Sequence, residues 1–164
     1  MSSFEKNYSN VDYENYIKIL EDNGIKNSRE SNENLYIIDY LMLNDDRHLN
    51  NFGIIRDVNK LKWTNIAPIF DTGQSLYISS YNDDEIIING QGKFFYNIEH
   101  FDTIIKNVRN LKRIDISKLD GVVEEFDELL HKYKHITNMS EDRITKLCIL
   151  LNSRIKKLKD MIKS

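Results

Sequence analysis

The stretch that begins at Ser140 constrains this chain most. Ile144, Leu147, Cys148, Leu151, Ile155, Leu158 and Ile162 recur at three- and four-residue spacing. That period puts them on one face of an α-helix, whereas a strand would scatter them over both its faces. Ser140 is a residue type that caps a helix, and Glu141 and Asp142 fall in the first turn, where the helix dipole favours acids. The spacing therefore predicts a helix over 140–163, with a continuous apolar stripe that must pack on something. With 164 residues the chain is long enough to bury one core. Lys156, Lys157, Lys159 and Lys163 crowd the end of this helix, where cations are favoured by the dipole, so they need no ligand to explain them. Cys148 falls on the stripe and reads as a small buried hydrophobe. As the single cysteine it permits no internal disulfide, which points to a reducing, cytoplasmic setting.

The remaining elements can be placed by the same rules. Residues 1–10 are polar and read as a loose tail, leaving 11–164 as one domain. A helix is predicted from Val11, capped by Asn10, with Tyr13, Tyr16, Ile17 and Leu20 on one face and Asn23-Gly24 as its stop. A second starts near Ser28 or Ser31 and runs to about Leu43, burying Leu35, Ile38, Leu41 and Met42. Residues 44–51 break every periodicity. Residues 52–55 and 61–64 read as a hairpin turned at 57–60. Residues 77–98 carry no clear period, with loops at 82–84 and 89–92. Helices follow at about 100–110 and 117–134. The expected fold class is α+β, mainly α, with five helices around a short β-hairpin, and there is no repeat or Pro- or Ser-rich linker.

Composition excludes several classes. Hydrophobic residues are 40% and charged residues 30% of the chain, an ordinary globular balance. No apolar run is long enough to cross a bilayer, and the N-terminus lacks a signal-peptide pattern. A net charge of −3 gives no general attraction to nucleic acid or anionic lipid.

Chemistry concentrates in the aperiodic loop, Asp46-Arg47-His48-Leu49-Asn50-Asn51, and in Asp71 beyond the hairpin. Phosphoryl transfer asks little of a protein beyond placement. One carboxylate takes the proton of the attacking hydroxyl, and an amide and a second carboxylate hold magnesium against the phosphates. Magnesium takes hard oxygen ligands and accepts only one or two of them from side chains. Asp46 and Asn51 can converge if the loop folds back, and the hairpin can return Asp71 to the same place.

These residues resemble the HipA-like toxin kinases, which carry Asp-x-His-x-x-Asn followed by a Pro-x-aromatic-Asp segment. This chain is particularly similar to a clostridial-type branch with Asp-Arg-His-x-x-Asn-Phe-Gly and Ala-Pro-Ile-Phe-Asp, which stand here intact as residues 46–53 and 67–71. Phosphoinositide kinases share Asp-Arg-His-x-x-Asn, and it is Ala-Pro-Ile-Phe-Asp-Thr-Gly that favours the HipA side. The resemblance implies a protein-kinase-like C-terminal lobe and ATP- and Mg²⁺-dependent transfer to a protein Ser/Thr hydroxyl. Asp46 would be the catalytic base, with His48 orienting the loop or contacting phosphate. Asn51 and Asp71 would be the magnesium ligands and, with Arg47, the nucleotide-binding residues. Arg47 could also brace the loop by a salt bridge. Relatives phosphorylate proteins such as an aminoacyl-tRNA synthetase and pair with DNA-binding antitoxins.

The resemblance covers the whole chain but only part of the family's length. The 45 residues before Asp46 read as two helices rather than a sheet, and no Gly-x-Gly-x-x-Gly occurs. An N-terminal lobe is therefore expected from another chain or a longer gene. The alternatives are a kinase remnant acting as a protein-binding module, and a phosphoinositide-kinase-like or metal phosphoesterase activity on Asp46, His48 and Asp71. Gly90-Gln91-Gly92-Lys93 lacks P-loop spacing and reads as a hairpin turn. His100, His131 and His135 lack partners at metal-site spacing and read as surface or cap residues.

Overall fold

The computed structural model describes residues 12–80, 82–86, 90–95 and 97–164. The expected tail and the proposed cap at Asn10 lie outside the described residues. The helix α1, Tyr13–Asp22, is capped instead by Asp12, whose carboxylate accepts from the Asn15 amide at 2.8 Å. It stops at Asn23 with Gly24 in the left-handed region (φ 82°), as the Asn-Gly pair foretells.

Helix α2, Ser28–Met42, starts at the first of the two expected positions. Its buried face differs from the expectation. Leu35 is buried, but Ile38, Leu41 and Met42 are only half-buried, and Tyr36, Ile37, Asp39 and Tyr40 take the interior. Counting aliphatics alone misplaced the stripe, because the tyrosines carry more apolar area than the aliphatics they displace. The helix ends at Leu43, itself in a left-handed conformation (φ 49°) and buried.

The hairpin forms from β1, Ile54–Asp57, two residues later than expected, and β2, Lys62–Ile66, which starts one residue and ends two residues later than expected. Asp57 turns it by accepting from the amides of Asn59 and Lys60, both at 2.9 Å.

A second antiparallel hairpin lies where the sequence showed no period: β3, Gln91–Phe94, and β4, Asn97–His100. Residues 90–93, expected to turn a hairpin, instead lead into and form β3. Phe94 and Phe95 are buried in an aromatic cluster with Tyr13, Tyr36 and Phe52, with ring centroids 5.1–6.1 Å apart. Such a cluster rewards the pleated geometry of the segment rather than any local propensity.

The expected helix over 100–110 is cut short. Helix α3 spans only Phe101–Ile104 and tightens into a 3₁₀ turn over Ile105–Asn107. Phe101, Ile104, Ile105 and Val108 are all buried, as a helical pattern requires. The continuation is pulled away by buried Glu33, whose carboxylate accepts from the Arg109 amide at 3.1 Å. Helix α4, Val122–Thr137, begins later than expected because the chain first makes a 3₁₀ turn at Ile116–Leu119 and bends at Gly121 (φ 83°).

Helix α5, Glu141–Lys163, is capped by Ser140, whose hydroxyl accepts from the Arg143 amide at 3.0 Å. Ile144, Leu147, Leu151, Ile155 and Leu158 are buried as expected. Cys148 is only half-buried and faces α4, where its thiol donates toward Asp127 at 3.5 Å. Burial, and secondarily that contact, push its pKa up to about 11, so it is a poorly reactive thiol at neutral pH. His131 closes the α4–α5 corner on Glu141 at 3.0 Å, a surface role as expected. No helix among the described residues is long and apolar enough to cross a membrane.

Replacing Leu151 with Ala is expected to lower stability by about 2–3 kcal/mol, the low end for a buried leucine because it lies outside the main core cluster. Ile149, 58% exposed on the same helix, is the control and should change by about 0.5 kcal/mol or less. Equal urea midpoints for the two variants would show that α5 packs on nothing at Leu151.

Candidate functional site

The loop after α2 is organised around Arg47. Its guanidinium is buried, with 1% of the side chain exposed. Nε donates to Asp39 Oδ2 at 2.8 Å and Nη2 to Asp39 Oδ1 at 2.9 Å, a bidentate pair with a carboxylate one turn before the end of α2. Nη1 donates to two backbone carbonyls, Asn51 at 3.1 Å and Phe70 at 2.8 Å. One guanidinium thus joins the helix, the end of the loop and the residue before Asp71. Asn44 completes the arrangement by donating to Asp39 Oδ1 at 2.9 Å. Arg47 is therefore the brace that the sequence allowed for. The nucleotide contact also expected of it has no open guanidinium face to use.

Further backbone bonds press the loop between two neighbours. The Asp45 amide donates to the Gln74 carbonyl at 3.2 Å and the Leu76 amide to the Met42 carbonyl at 2.8 Å. On the other side the Lys93 amide donates to the Asp45 carbonyl at 3.1 Å. Asp71 thus leaves from a carbonyl held by Arg47, and the chain returns three residues later to bond Asp45. Asp71 takes a left-handed backbone (φ 55°), a conformation that aspartate tolerates better than most residues.

The polar atoms of the loop divide into engaged and open groups. Asn51 is buried and donates its Nδ2 to the Asp46 carbonyl at 2.9 Å, which closes the loop across five residues. Its amide oxygen receives no hydrogen bond among the described residues. The Asp71 carboxylate is exposed and likewise has no hydrogen-bond or ionic partner among them. An amide oxygen and a carboxylate are hard donors of the type that magnesium takes.

Asp46, His48 and Asp71, by contrast, do not assemble as a metal centre: no group of three His, Cys, Asp or Glu side chains at metal-holding geometry occurs among the described residues.

Asp46 is half-exposed and pairs with Lys93, a residue of β3 that sequence reasoning had set aside with the rejected P-loop. The hydrogen bond from Lys93 holds its carboxyl below the usual range. His48 Nε2 lies 3.8 Å from the other Asp46 oxygen, with about a third of its side chain exposed. Burial, with the Asp46 charge added, raises the neighbouring Asp45 carboxyl instead.

Two participants were absent from the sequence reading. Asp39 had a faint signal, a charged residue between Tyr36 and Tyr40 on an otherwise aromatic face. Lys93 had none, being 47 positions from Asp46 in a segment without periodicity.

Beside the loop is a cavity of about 330 Å³, lined among others by Tyr16, Asn51, Phe52, Pro68, Ile69 and Phe70. Ile69 and Phe70 remain 39% and 42% exposed, so one wall of the site is open apolar surface. No family model, curated protein or solved structure matches this chain.

Proposed function

We propose that this chain carries the magnesium- and ATP-phosphate-binding half of a HipA-like Ser/Thr protein kinase site. The observation that carries the reading is the shared guanidinium: Arg47 holds the carbonyls of Asn51 and Phe70 together, with the carbonyl-side neighbour of Phe70 being Asp71. An open amide oxygen and an open carboxylate then belong to one braced unit, as metal-assisted phosphoryl transfer requires. Asn51 and Asp71 would hold magnesium, which when bound neutralises charge on the phosphates. Asp46 would receive the proton as the substrate hydroxyl oxygen bonds to the γ-phosphorus. The bond from that phosphorus to the oxygen bridging to the β-phosphate breaks, and its electron pair leaves with ADP. Exposed Ile69 and Phe70 are suited to cover by an N-terminal lobe, which would also supply the adenine wall.

Titration with Mg-ATP tests the reading. Asp71→Ala removes a charged ligand, and its affinity should fall by about tenfold or more, the scale of one charge-assisted contact. Identical binding isotherms for the wild type and this variant would refute the proposed metal site.

A further inference from the structure

We propose that Lys93, on the second hairpin, is a positioning residue for the terminal phosphate of ATP, delivered to Asp46 by β3. The inference rests on the kinase reading above and adds to it a group from outside the motif-bearing segments.

Three observations carry it. The first is how firmly Lys93 is placed. In β3 the residues alternate, with Gly92 and Phe94 buried and Gln91 and Lys93 outward. A Cβ on Gly92 would lie 2.7 Å from the Phe101 ring and 3.2 Å from the Asn44 carbonyl, so the strand is pressed directly onto the loop. The Lys93 amide is also bonded to the Asp45 carbonyl at 3.1 Å, which fixes the residue one peptide from Asp46.

The second concerns what the Lys93–Asp46 pair does for the fold. Its side chains are 44% and 37% exposed, and an ion pair that open contributes about 0–1 kcal/mol. The hairpin is held by Phe94 and Phe95, both buried in the aromatic cluster. Stability therefore gives little reason for an ammonium at this position.

The third is the shortage of cations where phosphates would sit. Asp45, Asp46 and Asp71 make this region acidic, and a polyphosphate needs positive charge beyond one magnesium. Arg47 is buried and committed to Asp39 and two carbonyls. Among the described residues Lys93 is the exposed ammonium in contact with the proposed base, whereas His48, 3.8 Å from the same carboxylate, is charged only when protonated. A lysine ammonium is a compact donor on a flexible stem, able to turn from a carboxylate to a phosphate oxygen without moving its strand.

The test compares Mg-ATP with Mg-ADP by calorimetric titration of the full chain, as wild type, Lys93→Ala, Lys93→Arg and Asp71→Ala. A residue that meets the terminal phosphate discriminates between the two nucleotides, which a merely structural residue does not. Lys93→Ala should weaken Mg-ATP about tenfold while Mg-ADP stays within about twofold, and Lys93→Arg should restore most of the ATP affinity. The melting temperature of Lys93→Ala should stay within about 4 °C of wild type, as for an exposed pair. Equal losses for ATP and ADP, no loss for either, or a melting temperature lowered by about 8 °C or more would overturn the assignment of Lys93 alone, provided Asp71→Ala still weakens Mg-ATP. Indifference of Mg-ATP binding to Asp71→Ala, or no binding by the wild type, would overturn this inference together with the kinase reading.

Discussion

Arg47→Ala is expected to lower the stability of the chain by about 3–5 kcal/mol, the loss typical when one member of a buried ion pair is removed. The physical cause is the carboxylate left behind. Asp39 is 4% exposed, and without the guanidinium it keeps only the Asn44 side-chain amide as a side-chain donor among the described residues. Two carbonyls, of Asn51 and Phe70, lose their donor in the same substitution. Since whole domains are stable by only about 5–15 kcal/mol, the variant should unfold at a markedly lower urea concentration. Pairing it with Asp39→Leu should recover much of the loss, because the uncompensated charge disappears along with its partner. A single-variant loss below about 1 kcal/mol would mean that the pair is not desolvated as described. Arg47 also ties the loop to the peptide before Asp71. The doubly substituted chain, stable again but without that tie, should bind Mg-ATP less well than wild type.

Asp46→Ala is expected to have the largest effect on activity. With an N-terminal lobe in place, loss of a general base should lower transfer of radiolabelled γ-phosphate to protein by about 10²- to 10⁴-fold. Nucleotide affinity should change far less, since Asp46 is not among the groups proposed to hold the metal. The contrast with Asp71→Ala is the informative part: one variant loses turnover and the other loses binding. A decrease in transfer of less than about tenfold would remove Asp46 from the base role.

Much of this molecule could be read from residues alone. The final helix was legible to its cap, because Ser140 and a stripe from Ile144 to Leu158 satisfy local and tertiary demands together. The polar loop between a helix and a hairpin was legible for the opposite reason, since nothing periodic fits residues 44–51. Asp71 at the hairpin's exit followed from chain order. Where readings failed, distant partners had overridden local preference. Residues 100–110 have a helical pattern of apolar residues and bury it, yet Glu33 of α2 draws the Arg109 amide out of the helix. The second hairpin exists because Phe94 and Phe95 join rings from α1, α2 and the residue after Asn51.

The sequence by itself singled out Asp46, Asn51 and Asp71 as candidates for chemistry, by residue type and spacing. Only the tertiary structure decided which of their neighbours serve them. Arg47 and Lys93 are both cations, and nothing in their local sequence says that one is buried and the other open. Arg47 follows α2 closely enough to reach back to Asp39, and a planar guanidinium can satisfy a carboxylate and two carbonyls at once, so it became structural. Lys93 reaches Asp46 only because a strand packs its alternate residues inward, which turns the lysine outward beside the loop. Burial and long-range pairing depend on contacts between residues far apart in the chain, and these no local pattern encodes.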